Sequence, residues 1–236
     1  VLALYFSASG LLMSRFADLE RQAAQADLDR VLKLLDDDLE EMGALAAEWV
    51  RADQTYALLS PRHSAYVKGK LDDRSFQHLR LHLVAFLTPD GREHSSQAYD
   101  PDRKAVIPSP RDFLTHVGAD APMAGGTERR GQVTGLLLLS EGPLLVASQP
   151  ILGPPGDAAV RGRLVFGRFL QGSELERLAK LAGSAVSWCR HEQRDAPEDF
   201  RAARLRLAGS DRAFVQPLDE RTIAANLGLA IDDMAV

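Results

Sequence analysis

The sequence predicts an α+β domain: a long N-terminal helix packed on an antiparallel sheet, with a smaller α/β extension toward the C-terminus. Three observations predict it. Leu28, Leu32, Leu35, Leu39, Met42, Ala46 and Trp49 step alternately by four and three residues, an apolar seam of period 3.5. From Leu81 the period shortens to strand-like runs, "LHLVAFL", "QVTGLLLL", "PLLVASQPIL" and "RGRLVFGRFL". Short turn sequences join them as hairpins, so the sheet is antiparallel at least in part. A helix followed by about five such strands, with further helices on one face, is a two-layer α+β arrangement.

The elements follow in order. "VLALYFSASGLLM" opens the chain without a charge. It is shorter than the roughly 20 residues a bilayer span needs, and it lacks the basic start and cleavage site of a signal peptide. It reads as the outer end of a transmembrane helix or as an apolar helix start buried elsewhere in the protein. No proline interrupts Leu11 to Ser60, so one helix is expected from about Ser14 to Asp53. Its acidic run, Asp36, Asp37, Asp38, Glu40 and Glu41, is expected to be a solvated face. "LDDRSFQHL" is a short helix capped near Asp72. "TPDGRE" turns the chain between "LHLVAFL" and the returning strand "HSSQAYD". "SPRDFLTHVG" is a helix with Ser109 as cap, Pro110 at the first helical position and Gly118 as terminator. Three strands come next, linked by "SEG" and "GPPGDAAV". "SELERLAKLAG" is a helix with Ser173 and Glu176 spaced as a capping box. Strand "AVSWCRH", helix "PEDFRAARLRLAG" and strands "AFVQPLD" and "TIAANLGLAI" complete the extension. The expected segments are 1–13 as membrane-helix end or apolar start, 14–60 as signalling and dimerisation helix, 61–171 as sheet core, and 172–236 as an extension truncated at its C-terminus.

Composition narrows the function. The chain has 236 residues and a formal net charge of −5, which gives a nucleic acid no electrostatic footprint. The single cysteine, Cys189, excludes an internal disulfide and paired-cysteine zinc sites; beside Trp188 in its expected strand it reads as buried and inert. No nucleophile elbow, phosphate loop or HExxH site is present. His78 and His82 have a metal-compatible spacing on a helix, but His82 falls at a strand start and no third ligand accompanies them. No metal and no cofactor is expected.

Three stretches carry a family resemblance: "LDDDLEEMGALAAEWVRADQTYALL", "AYVKGKLDDRSFQHLRLHLVAFLTPDGR" and "GPLLVASQPILGPPGDAAVRGRLVFGRFL". They are similar, in order, to a pattern ending D-W-A-x-W-D-D-T-Y, to Y-V-x-x-N-L followed by L-x-L-N-L-V and a glycine turn, and to P-I, a hairpin and G-x-L-x-x-G-R-x-L. Together they span Leu28 to Leu170 and resemble the CHASE-type extracellular sensory domains of the fourth class, within the Cache and PAS-like periplasmic sensors. Asp53, Thr55, Tyr56, Tyr66 and Arg168 match the pattern. The family's second tryptophan falls at Ala52, its second aspartate at Gln54, and its asparagines at Lys70 and His82.

The resemblance implies a domain on the periplasmic or extracellular face of the bacterial inner membrane, anchored in a receptor whose output is a histidine kinase or a cyclic-di-GMP synthase and phosphodiesterase. The domain itself is then no enzyme. The expected partners are an unidentified small-molecule ligand and a second copy, bound through the N-terminal helix. The alternative is a helix-mediated module that senses a partner protein and takes no small molecule. Candidate ligand residues begin with Trp49, Asp53 and Tyr56, which share one helix face and suit an amine or another polar molecule; otherwise Trp49 is core and Asp53 with Thr55 stabilises the helix end. Arg168 lies on the Leu164 and Phe166 side of its strand, where a buried charge needs a partner. That partner is Asp53 or a ligand carboxylate. Tyr66, His82, Phe86 and Gln149 complete the candidate set.

Overall fold

The structure, a computed structural model, describes residues 2–51, 73–101, 103–117, 131–153, 159–190, 193–198, 200, 201, 203, 213–217 and 223–227, with backbone alone described for 2–18, 213–217 and 223–227. The chain divides into two units, Val1–Leu35 with Leu175–Leu229, and Asp36–Glu174 with Ala230–Val236.

The first helix, α1 (Leu2–Arg51), is continuous over 50 residues, about 75 Å at 1.5 Å per residue. It runs without a break from the apolar opening stretch, expected to be helical, into the helix expected from about Ser14. Among the described residues, no helix is long and apolar enough to cross a membrane. Its seam is realised where it meets the sheet: Leu35, Leu39, Met42 and Ala46 are buried.

The larger unit holds a six-stranded sheet in the order β3-β2-β1-β6-β5-β4, every neighbour antiparallel. Its strands are β1 (Leu83–Leu87), β2 (Glu93–Asp100), β3 (Ala105–Ile107), β4 (Val133–Leu139), β5 (Gly142–Leu152) and β6 (Val160–Phe169). β3 adds a sixth strand to the five expected; at three residues it is too short for alternation to show in the sequence. Between β1 and β2, Gly91 takes φ 74° and donates to the Thr88 carbonyl, as the "TPDG" turn requires. α2 (Asp73–Leu79) seats Phe76 flat on Tyr99 of β2, ring centroids 5.4 Å apart.

One sheet face is mainly apolar, with buried Arg163 on it donating through Nε to Ser148 Oγ at 2.7 Å. Leu83, Ala85, Leu87, Ala98, Val133, Leu137, Leu139, Leu144, Val146, Val165 and Phe169 form one buried cluster with Phe113 and Val117 of α3 (Phe113–Val117). α3 is shorter than expected. Residues 111 and 112 form a turn, and the Ser109 hydroxyl bonds Ser96 Oγ at 2.6 Å instead of capping the helix.

The other unit combines α1 up to Leu35, most of α4 (Ser173–Ala182) and the hairpin of β7 (Ala213–Pro217) and β8 (Ile223–Leu227). Here Arg30 Nη1 donates to the Ala182 carbonyl at the C-terminus of α4, 2.5 Å away. Gly183, at φ 77°, ends that helix with a bond to Ala179 O. Residues 185–190, expected as a strand, join no sheet among the described residues. Their alternating pattern finds no neighbouring strand to pair with, and Cys189 is half-buried there rather than buried.

Gly167 sits in the apolar face, where an added Cβ would approach Leu83 Cβ to 3.0 Å and both Leu144 methyls to 3.2 Å. Gly167→Val should therefore overpack the sheet centre and cost roughly 1–3 kcal/mol. Equilibrium urea unfolding should show it as a lowered midpoint at unchanged slope; an unchanged midpoint would refute this account of the glycine.

Candidate functional site

α1 covers the opposite face of the sheet. Trp49 meets Phe166 edge-on, ring centroids 5.5 Å apart, which fixes the side on which the helix lies. Side chains of directly paired residues share a face. The pairs Phe86 with Leu164, Leu164 with Gln149, Val84 with Phe166, Phe166 with Ala147, and Arg168 with Leu145 therefore all place their side chains on this face. Ser95, opposite Phe86 on β2, joins them.

Arg168 is the charged residue of this face, its side chain only 1% exposed. Its Nη1 lies 3.1 Å from Asp38 Oδ1 and 3.6 Å from Glu41 Oε2, both on α1. Its Nε donates to the Arg80 carbonyl at 2.9 Å, and Nη2 to the Leu79 carbonyl at 3.4 Å. The structural ion pair is thus realised, with Asp38 and Glu41 as partners. Asp53, the partner expected, lies outside the described residues, as do Tyr56 and Tyr66. Asp38 also corrects the reading of the acidic run as a solvated face: its side chain is 6% exposed, held down by Arg168.

Arg80 completes the cluster. It is the residue after α2, where the amide of Arg80 bonds Gln77 O and that of Leu81 bonds Phe76 O. This pair of bonds is a Schellman ending, whose left-handed position is usually glycine. Arg80 holds it at φ 53°, a conformation that costs an L-residue with a Cβ about 1–2 kcal/mol. Its guanidinium bonds Glu174 of α4 through Nη2 at 2.6 Å and Nε at 3.2 Å. It also lies 3.5 Å from Asp38 and 3.6 Å from Glu41. Burial alone would lower the Arg80 pKa, but the hydrogen bond and charge of Glu174, with Asp38 and Glu41, hold it above its ordinary range. Burial and then the Arg80 cation hold Arg168 below its ordinary range, against the pull of Asp38, Glu174 and Glu41. Arginine remains charged at neutral pH in either case.

His82 extends the ladder just ahead of β1, donating to Gly167 O at 2.8 Å and accepting from Tyr99 N at 2.9 Å. Its Nδ1 accepts the Phe169 amide at 2.8 Å, which requires a neutral ring with its proton on Nε2. Burial lowers its pKa; Glu174 pulls the other way, but Arg168 and Arg80 add to the lowering, and Asp100 opposes it least. The ring is committed to the backbone of β6. His78 lies elsewhere, lining a shallow groove of about 750 Å³ with Glu41, Ala44, Leu45, Glu48, Arg51 and Leu79.

The structure thus brings Trp49, Phe86, Gln149 and Arg168 onto one face. Sequence reasoning missed Asp38, Glu41, Arg80 and Glu174. The available signal was Arg168 itself, a charge on an apolar strand face that had to be answered by carboxylates from whatever packs above it.

A helix clamped by ion pairs to one face of an antiparallel sheet defines an α+β domain whose class is set by its family. The chain belongs to the CHASE4 family: the CHASE4 domain model matches residues 34–188. Among curated proteins it is similar to the methanogenesis regulatory histidine kinase FilI of Methanothrix harundinacea (strain 6Ac), 26% identical over 173 residues. That match covers 73% of this chain but 19% of the kinase. Among solved structures, it is similar to the domain of a sensory box/GGDEF family protein from Vibrio parahaemolyticus, with a TM-score of 0.45, 15% identity, and coverage of 64% of this chain and 62% of that one. It is also similar to the V. cholerae histidine kinase DctB sensor domain, with a TM-score of 0.46, 15% identity, and coverage of 70% and 60%.

Two outcomes follow from the charged groups. Arg168→Ala removes the nearer of the two cations beside buried Asp38, leaving Arg80 at 3.5 Å, and should cost up to about 3 kcal/mol, the lower end for breaking a buried pair, read as a lowered urea midpoint; a loss below ~1 kcal/mol would contradict the ion-pair geometry. His82 binds a proton less readily folded than unfolded. Its contribution is therefore complete above the unfolded pKa of about 6.5 and declines as pH falls below it. His82→Asn can still accept from Phe169 N but cannot titrate, so its stability should fall less than wild type's between pH 7.5 and pH 5. Parallel curves for the two proteins would show that His82 is not the titrating group.

Proposed function

We propose that this chain is the extracytoplasmic input domain of a membrane-anchored signalling receptor. It binds a small polar molecule on the sheet face beneath α1, and α1 passes the resulting change toward the membrane. Membership of the CHASE4 family supports the sensory role, and the similarity to a histidine kinase supports kinase output over a cyclic-di-GMP enzyme.

The observation that carries ligand binding is a row across four strands, Ser95, Phe86, Leu164 and Gln149, polar at both ends and apolar between. Ser95 Oγ and Gln149 Oε1 are buried there without a hydrogen-bond partner. A buried acceptor left unpaired costs about 1–3 kcal/mol, so a ligand supplying N–H or O–H donors to these oxygens would relieve that cost. Trp49 borders the same face. Half-buried Leu28, Val31, Leu32 and Leu34, with exposed Leu19, give the N-terminal part of α1 an apolar side suited to a second copy. Association there makes the receptor a homodimer.

Thermal-shift screening against amines, amides, amino acids, polyols and carboxylates tests the binding claim. A ligand at 100 times its Kd should stabilise the domain by about 2.7 kcal/mol, and Gln149→Leu should abolish the shift while remaining folded. Silence across the panel, or a shift indifferent to Gln149→Leu and Ser95→Ala, would sink it and favour a domain that senses a protein partner.

A further inference from the structure

We propose that Arg80 is the pivot of a charge-exchanging bearing that bounds the travel of α1 over the sheet; this rests on the reading that α1 carries the signal. Arg80 is a positioning residue here, acting through α1 and Arg168.

Three observations carry the proposal. The first is that Arg80 occupies a backbone position that glycine fills more easily. The end of α4 shows the contrast, with Gly183 supplying the left-handed residue. Strain of this kind persists where the surrounding structure needs the side chain. Arg80 is used twice, its carbonyl holding Arg168 Nε and its guanidinium holding Glu174.

The second observation is degeneracy. Each α1 carboxylate lies within ion-pair distance of both arginines: Asp38 at 3.1 and 3.5 Å, Glu41 at 3.6 and 3.6 Å. The two carboxylates are three residues apart, about 4.5 Å along the helix axis. An axial shift of α1 that lengthens one pair therefore shortens another. Coulomb energy varies only as the inverse of distance, so the exchange is smooth over such a shift.

The third is asymmetry of grip. Arg80 is held at 2.6 Å by Glu174 but only at 3.5 and 3.6 Å by the α1 carboxylates. Glu174 fixes the pivot, and α1 is the part that moves. Glu41, with its side chain 59% exposed, can swing with the helix at little desolvation cost.

The test uses the whole 236-residue chain with Cys189→Ser, spin labels at Glu40→Cys on α1 and Arg161→Cys on β6, and pulsed dipolar distance measurement without ligand. The parent protein should give a narrow distance distribution. Arg80→Gly, which also relieves the left-handed strain, should at least double its width, and Arg80→Lys, which keeps the charge, should restore most of the narrow form. Should Arg80→Gly not fold, Glu41→Gln at the exposed end of the cluster should broaden the distribution to a lesser degree. A width unchanged in Arg80→Gly, or in Glu41→Gln where that variant stands in, overturns the proposal, as does a failure of Arg80→Lys to narrow it. Because no ligand is present, a silent ligand screen would defeat the sensory reading without altering this result, and the reverse also holds.

Discussion

The guanidinium of Arg168 is the constraint around which the larger unit is arranged. It stands on a strand at the centre of the sheet, on a face otherwise made by Val84, Phe86, Leu145, Leu164 and Phe166. A lone charge there is prohibitive, so the layer above must supply carboxylates at the right height and angle. The apolar seam of α1 is sufficient to bring a helix down onto the sheet, but a seam of leucine, methionine and alanine tolerates many axial positions. Asp38 and Glu41 narrow these to the short span over which they reach the arginines. A rotation of one residue, about 100°, would carry both away from Arg168. Apolar burial supplies the affinity of helix for sheet, and the ion cluster fixes the rotation of the helix and limits its axial position.

That division accounts for how unlike the two faces are. The face packed with α3 is mainly hydrocarbon from Leu83 across to Leu139, with buried Arg163 fixed on Ser148 Oγ and the Gly131 carbonyl, and interdigitated side chains of that kind resist displacement. The face under α1 mixes aromatic rings, two buried oxygens lacking partners and Arg168, whose carboxylates come from the helix above. Buried ion pairs contribute little net stability compared with well-packed apolar groups, so their presence here is better explained by positional specificity than by strength. A sheet with one rigid face and one adjustable face is suited to relaying a small change on the adjustable side.

Much of the fold was legible because periodicity reports burial directly. The strands around Leu83, Leu137, Val146 and Val165 alternate or run continuously apolar, and turn residues such as Gly91 mark their ends. The errors have the same origin. β3 is three residues long and leaves no period to detect, whereas residues 185–190 alternate without acquiring a partner strand. The cluster of charges was legible only in part. Arg168 was conspicuous on its apolar face, but its partners lie about 130 residues away on α1, and an acidic run on a helix is ordinarily solvent-facing. The helical period sets Asp38 beside the Leu35 and Met42 seam and Asp37 away from it, but that the seam side would meet an arginine shows only in three dimensions. Arg80 was hidden for a different reason. A helix ending on arginine reads as favourable dipole chemistry, and the left-handed backbone that makes it unusual has no sequence signature.

His82 shows how a polar family pattern can change while the fold stays. The resembling pattern carries asparagine at this position. Asparagine Oδ1 and histidine Nδ1 are both attached to Cγ, one bond beyond Cβ, and both accept a hydrogen bond. Here the acceptor takes the Phe169 amide, a donor at the end of β6 that would otherwise be buried unpaired. The requirement at this site is for an acceptor at one distance from the backbone, and either residue meets it. The exchange keeps an acceptor for the sheet and adds a ring that stacks on Phe169 and a group that can take up a proton. Positions of this kind belong to the scaffold, although in a sequence they look like part of a binding signature. The chemistry that distinguishes this chain is therefore better sought where polar atoms on the α1 face have no backbone to serve, at Ser95 and Gln149.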